Sequence, residues 1–164
     1  MKRLVATVGS IVFFLAAPVV VAGVIPWWLT DWEALAVIAP IRIVGVILML
    51  TGISALVYSF VRFVVEGLGT PAPVTPTENL VVGGLYRYVR NPMYLAVLAI
   101  IGGQALYFGR LVLVIYALVA GTAMASFARW YEEPALARRF GEPYVTYRRN
   151  VPGWLPRARP WRKS

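Results

Sequence analysis

Twelve residues, Gly83 to Tyr94, read GGLYRYVRNPMY. They gather two glycines, three tyrosines, two arginines, an asparagine and a proline between strongly apolar stretches. Tyr86, Tyr88 and Tyr94 can stack on a purine, although tyrosine also collects at the water–lipid boundary. Arg87 and Arg90 can hold an anion or simply anchor a helix end. Gly83 and Gly84 turn the chain or let backbone N–H groups approach a ligand. The second chemistry-bearing feature is the acidic pair Glu132-Glu133. A carboxylate beside an apolar helix must be solvated or paired. It can accept from ribose hydroxyls or balance a cationic ligand. The plain alternative is a solvated pair that starts a helix and favours its positive end. Arg129, one turn earlier, can pair with either glutamate or hold a substrate anion.

The composition says what surrounds these groups. The 164-residue chain is 60% hydrophobic, with 14% charged residues, and its mean hydropathy is +0.71. Such a chain is an integral membrane protein of one domain, residues 1–164. The net charge of +9 then points to anionic lipid headgroups rather than nucleic acid. Cysteine and histidine are absent. That excludes disulfides, thiol nucleophiles, His-based metal sites and a His general base.

The elements that must position the two clusters follow from the apolar runs. Leu4 to Ile25 is the first expected span, with a cleaved leader ending near Val21-Ala22-Gly23 as its rival. Pro26 to Pro40 is an expected connection rich in tryptophan, and Ile43 to Val61 the second span. The prolines of GLGTPAPVTPTENL, starting at Gly67, oppose a regular helix there. Met93 to Phe108 and Leu111 to Trp130 are the third and fourth spans, joined by a tight turn at Gly109-Arg110. From Tyr131 the chain is amphipathic and basic. The expected fold is therefore all-α and polytopic, with about four transmembrane helices and a cytoplasmic amphipathic C-terminal segment. Residues 1–65 supply two of these spans. Basic residues collect at the N-terminus, in 62–90 and in the tail, so both termini are expected in the cytoplasm. That topology puts Gly83–Tyr94 and Glu132-Glu133 on one membrane face.

Arg90-Asn91-Pro92-x-Tyr94, a helical hairpin, Glu132-Glu133, then Phe140-Gly141-x-x-Tyr144-x-x-Tyr147 resembles the isoprenylcysteine carboxyl methyltransferase and phospholipid methyltransferase family. The resemblance covers roughly residues 66–157. It implies S-adenosylmethionine as methyl donor and a lipophilic acceptor that comes from the bilayer. Carried over by position, the implied cofactor contacts are Glu78, Asn79, Leu80, Val81, Tyr86, Arg90, Asn91, Pro92, Met93, Tyr94 and Glu132. Two positions depart from the family pattern. Asn91 stands where the motif has His, and Glu78 falls where isoprenylcysteine enzymes often have His. The family's substrate-binding arginine aligns within one residue of Arg129.

The expected activity is methyl transfer to a membrane-dissolved acceptor: a prenylcysteine-like carboxylate, a phospholipid or a related small lipid. A sulfonium donor is already activated, so positioning and desolvation matter more than acid–base help. Arg129, Glu133 and Tyr94 are the candidate catalytic residues. Glu133 or Tyr94 would take a proton from an amine acceptor. No metal is expected, and the setting is a multi-pass inner membrane of the bacterial kind. Two competitors remain at this level: an NADPH-dependent reductase of the sterol reductase type, and a non-catalytic adaptor whose basic tail binds lipid.

Overall fold

The computed structural model describes residues 16–67 and 79–162. Glu78, much of the proline-containing loop and the beginning of the first expected span lie outside them. Among the described residues the chain is helical and holds no strand. Helix α1 is Ala16–Thr30, α2 is Ala39–Gly67, and α3 is Pro92–Phe108. Helix α4 is Leu111–Phe127, α5 is Glu133–Phe140, and α6 is Glu142–Asn150. A single 3₁₀ turn, Gly84–Arg87, precedes α3.

Two helices are long and apolar enough to cross a membrane: Ala39–Glu66 and Leu111–Phe140, the second running through α4 and α5. Helix α3 has 17 residues. At 1.5 Å per residue it covers about 26 Å, short of the ~30 Å hydrocarbon core. Outward faces of α2 and α4 carry exposed Ile47, Leu50, Val57, Leu118 and Val119, as lipid-facing helices do.

Helix α1 runs on to Thr30, so Trp27 and Trp28 are helical rather than part of a connection. A proline explains how. Pro26 has no N–H to offer the carbonyl of Ala22, and the turn before it, Val20–Val24, is π-helical. Gln104 Nε2 donates to the Ala22 carbonyl at 2.6 Å, and Tyr116 Oη to the Val21 carbonyl at 2.7 Å. Side chains from α3 and α4 thus satisfy backbone groups that proline leaves open.

The same device recurs at the functional end. Pro134 follows a π-helical turn, Ala128–Glu132, in which Glu133 N–H bonds the Ala128 carbonyl. Glu132 and Glu133 therefore do not start a helix. They sit inside a nearly continuous one, and the helix-start reading of the pair is corrected on this point. Helices α2 and α3 pack closest where glycine removes the side chain. A Cβ on Gly103 would lie 2.7 Å from the Gly45 carbonyl, and one on Gly45 would lie 2.7 Å from the Gly103 carbonyl. At the end remote from the clusters, Gly109 turns α3 into α4 with φ +67°. Arg110 bonds the Glu33 carbonyl at 3.0 Å there.

Candidate functional site

Residues 83–91 are held from three sides. Helix α2 provides the first. Glu66 accepts the Gly83 N–H at 2.9 Å and pairs with Arg62 at 2.8 Å. Gly84 has φ +55°, and a Cβ there would lie 2.8 Å from the Tyr58 ring. Tyr58, Arg62 and Glu66, each four residues apart, form one ladder clamping the Gly-Gly turn. Glu66→Ala is expected to loosen this turn by about 1 kcal/mol, since one charged acceptor at a partly exposed position is lost. Hydrogen exchange over residues 79–90 should speed up, with Glu66→Gln restoring most protection. Unchanged exchange in Glu66→Ala would show that α2 does not hold the turn.

Helix α6 provides the second side. Tyr144, Tyr147 and Val151 form a buried cluster, with Leu80 and Val82 packed on it. Tyr147 Oη donates to the Tyr86 carbonyl at 2.7 Å. Burial pushes the phenols of Tyr86 and Tyr147 above their ordinary values. For Tyr86 the carboxylates of Glu132 and Glu66 act in the same direction. Both tyrosines stay neutral donors at physiological pH.

The third side is an extended strap over 151–161, which runs along 87–91. Arg90 N–H bonds the Pro152 carbonyl at 2.9 Å, and Asn91 N–H bonds the Gly153 carbonyl at 3.3 Å. Further along, Arg157 N–H bonds the Tyr88 carbonyl, and Trp161 N–H the Arg87 carbonyl. Asn91 Nδ2 also donates to the Gly153 carbonyl at 3.1 Å. The asparagine thus works as a plain donor, a role its amide fills as well as an imidazole would.

The two acidic residues, adjacent in sequence, part company in space. Glu132 Oε1 accepts from Tyr94 Oη at 2.6 Å. Among the described residues it has no ion-pair partner. Glu133 turns into a cluster of cations. Arg90 Nη1 lies 2.7 Å from its Oε1, and Arg148 Nη2 lies 3.1 Å from its Oε2. Arg129 is only at 4.0 Å, with its side chain 67% exposed. Arg90 also donates to the Val151 carbonyl at 2.9 Å and to Tyr144 Oη at 3.3 Å. It is the residue where α3, α5, α6 and the strap meet.

A cavity of about 460 Å³ opens between one face of α4 and the strap. Thr122, Ser126 and Arg129 line it from the helix, and Trp154, Arg90 and Glu133 line its other edges. Trp154 stacks on Tyr94, rings 6.1 Å apart and 11° from parallel. A file of groups therefore runs from the cavity through Trp154 and Tyr94 to the Glu132 carboxylate.

A family model for phospholipid methyltransferases matches residues 40–143. The chain belongs to the phospholipid methyltransferase family. The match takes in α2 through α5, so it starts earlier than the resemblance carried by the motifs and stops before Tyr144. No curated protein matches the chain. A methyltransferase family acting on lipid-type substrates suits a chain with two membrane-length helices and a polar cluster at one end of them.

Within this family member the expected site residues distribute as follows. Arg90, Asn91, Tyr94, Glu132 and Glu133 come together. Tyr86 and Val81 are buried beside them, Pro92 is buried, and Met93 is half-buried at the start of α3. Leu80 packs on the tyrosine cluster. Asn79 is exposed. Sequence reasoning missed Glu66, Tyr58, Arg148, Gly153 and Trp154. The stretch VPGWLP carried a usable sign, since Pro152-Gly153 forbids a helix and delivers Trp154 in extended chain.

Proposed function

We propose that the protein is an S-adenosylmethionine-dependent methyltransferase acting on a lipophilic, membrane-dissolved acceptor. The observation that carries this is the Tyr94–Glu132 hydrogen bond. It fixes, beside Tyr86 and Trp154, a carboxylate that has no cationic partner among the described residues, in a chain of this family. That donor set fits a nucleoside bearing a positive charge. Glu132 would accept from the ribose hydroxyls or face the sulfonium, and Tyr86 and residues 79–82 would border the base. The cofactor, when bound, supplies an electrophilic methyl group.

The chain's own residues do the rest. Tyr94 orients Glu132 and stacks on Trp154, which borders the cavity and so sits between the cofactor side and the acceptor side. Glu133 is committed to Arg90 and Arg148, and so holds the site together more than it accepts protons. Arg129, exposed along the cavity and weakly paired, can meet an anionic acceptor headgroup. Proton removal from an amine acceptor falls to the Tyr94–Glu132 pair.

The reading extends to topology. We propose four spans, α1 to α4, in a bacterial inner membrane, with both termini cytoplasmic and the acceptor arriving from the bilayer. A cysteine replacing Ser164 is expected to label only from the cytoplasmic side; labelling from outside overturns this placement.

Titration calorimetry in detergent tests the activity class. S-adenosylhomocysteine should bind saturably and NADPH should give no heat. NADPH binding with S-adenosylhomocysteine inert would instead support the reductase. If neither binds, the adaptor reading stands.

A further inference from the structure

Beyond Glu133, on the side away from the 460 Å³ cavity, α5 and α6 splay apart at Gly141. They leave a cleft of about 280 Å³, lined by Ala137 of α5 and by Tyr144, Val145, Arg148 and Arg149 of α6. Its wall is largely apolar, and two adjacent guanidinium groups stand on it. Arg148 shares Glu133 with Arg90, and its side chain is 42% exposed. Arg149 is exposed. Among the described residues it makes no hydrogen bond or ion pair.

The local charge balance is unequal. One carboxylate, Glu133, faces Arg90, Arg148 and, more distantly, Arg129. Arg149 adds another cation, with no carboxylate paired to it among the described residues. An anion at the cleft would relieve this excess. A guanidinium fork matches phosphate oxygens in a way a lysine does not. The apolar wall of Ala137 and Val145 suits the glycerol and first methylenes that follow such a phosphate. Ala137 lies close to the end of the membrane-length helix Leu111–Phe140, so a cleft there is within reach of lipid headgroups.

We infer that the cleft between α5 and α6 binds the phosphate of an anionic phospholipid, at a place separate from the acceptor cavity. The Glu133–Arg148 pair stands between the two. The occupant is a resident lipid, not the molecule that is methylated. This inference does not depend on the methyl-transfer reading, because the cleft and its charges stand whichever cofactor binds. It does place the lipid one ion pair from Arg90, so its charge reaches the group that ties strap to helix.

The probe is dihexanoyl phosphatidylglycerol, titrated below its micelle concentration into the full chain in a neutral maltoside detergent. One saturable site is expected, with dihexanoyl phosphatidylcholine and inorganic phosphate at least tenfold weaker. Arg149→Gln should weaken phosphatidylglycerol at least tenfold. Val145→Trp, which fills the cleft and leaves both arginines, should do the same. Arg138→Gln, on α5 outside the lining, should bind as the unaltered chain does. Equal binding by Arg149→Gln and Val145→Trp overturns the site. So does an equal loss in Arg138→Gln, which would mean diffuse attraction to a basic surface. Inorganic phosphate binding as tightly as the lipid overturns the lipid assignment in favour of a free anion.

Discussion

Glu132→Gln is expected to weaken S-adenosylhomocysteine binding about 10- to 100-fold, the loss of one charge-assisted hydrogen bond. The substitution is a narrow one. A glutamine oxygen still accepts from Tyr94, whose bond to Glu132 measures 2.6 Å, so the contact between α3 and the π-helical turn survives. Expression and unfolding in detergent should be those of the unaltered protein. Only the charge disappears, and with it the acceptor strength offered to a ribose or a sulfonium. Calorimetry reads this directly. Unchanged affinity would remove Glu132 from the cofactor site and leave its bond to Tyr94 as a packing device. Tyr94→Phe should give a smaller loss, since it frees the carboxylate without neutralising it.

Arg90→Ala should have the largest effect on stability. Its side chain is 14% exposed and that of Glu133 is 11% exposed, so the 2.7 Å pair is well shielded from water. Removing one partner leaves a carboxylate in a poorly solvated place, a loss of about 3–5 kcal/mol in comparable buried pairs. Arg148, 3.1 Å from the other oxygen, moderates this toward the lower figure. The bond to the Val151 carbonyl is lost as well, so the strap should loosen. Thermal unfolding in detergent, followed by circular dichroism, checks the size. The double change Arg90→Met with Glu133→Leu should be less harmful than Arg90→Ala alone, because no charge is then stranded. A double variant as unstable as the single one would assign the stability to packing and backbone bonds instead.

The extent to which sequence predicted this site varies by element. The apolar runs were legible because the solvent for those helices is lipid, and long hydrophobic stretches report it. Gly83–Tyr94 and Glu132-Glu133 were legible because polar groups between such runs need a reason. Their meeting could be argued from the hairpin at Gly109 and from the basic-residue asymmetry. The separation of Glu132 from Glu133 was not legible. Neighbours on a helix point about 100° apart, but which of the two meets Tyr94 and which meets Arg90 depends on the rotation set by the π-helical turn before Pro134. The strap was hidden for a different reason. Its bonds to 87–91 are mostly between backbone groups, which any residue except proline can make, so no side-chain pattern announces them. The role of Glu66 was hidden in the same way, because its partner is the backbone N–H of Gly83.

The strap also sets an order of events during synthesis. Arg87 and Trp161 exchange a backbone and a side-chain hydrogen bond across 74 positions of chain. Helices α2 to α4 are therefore synthesised while residues 83–91 still lack one of their three supports. Until residue 161 is made and released, Asn91 and Tyr94 have no Gly153 or Trp154 to meet. The site is then finished last, by the strap over 151–161. A chain in which residues 87–91 are misplaced denies the strap its seat and stays without a formed site.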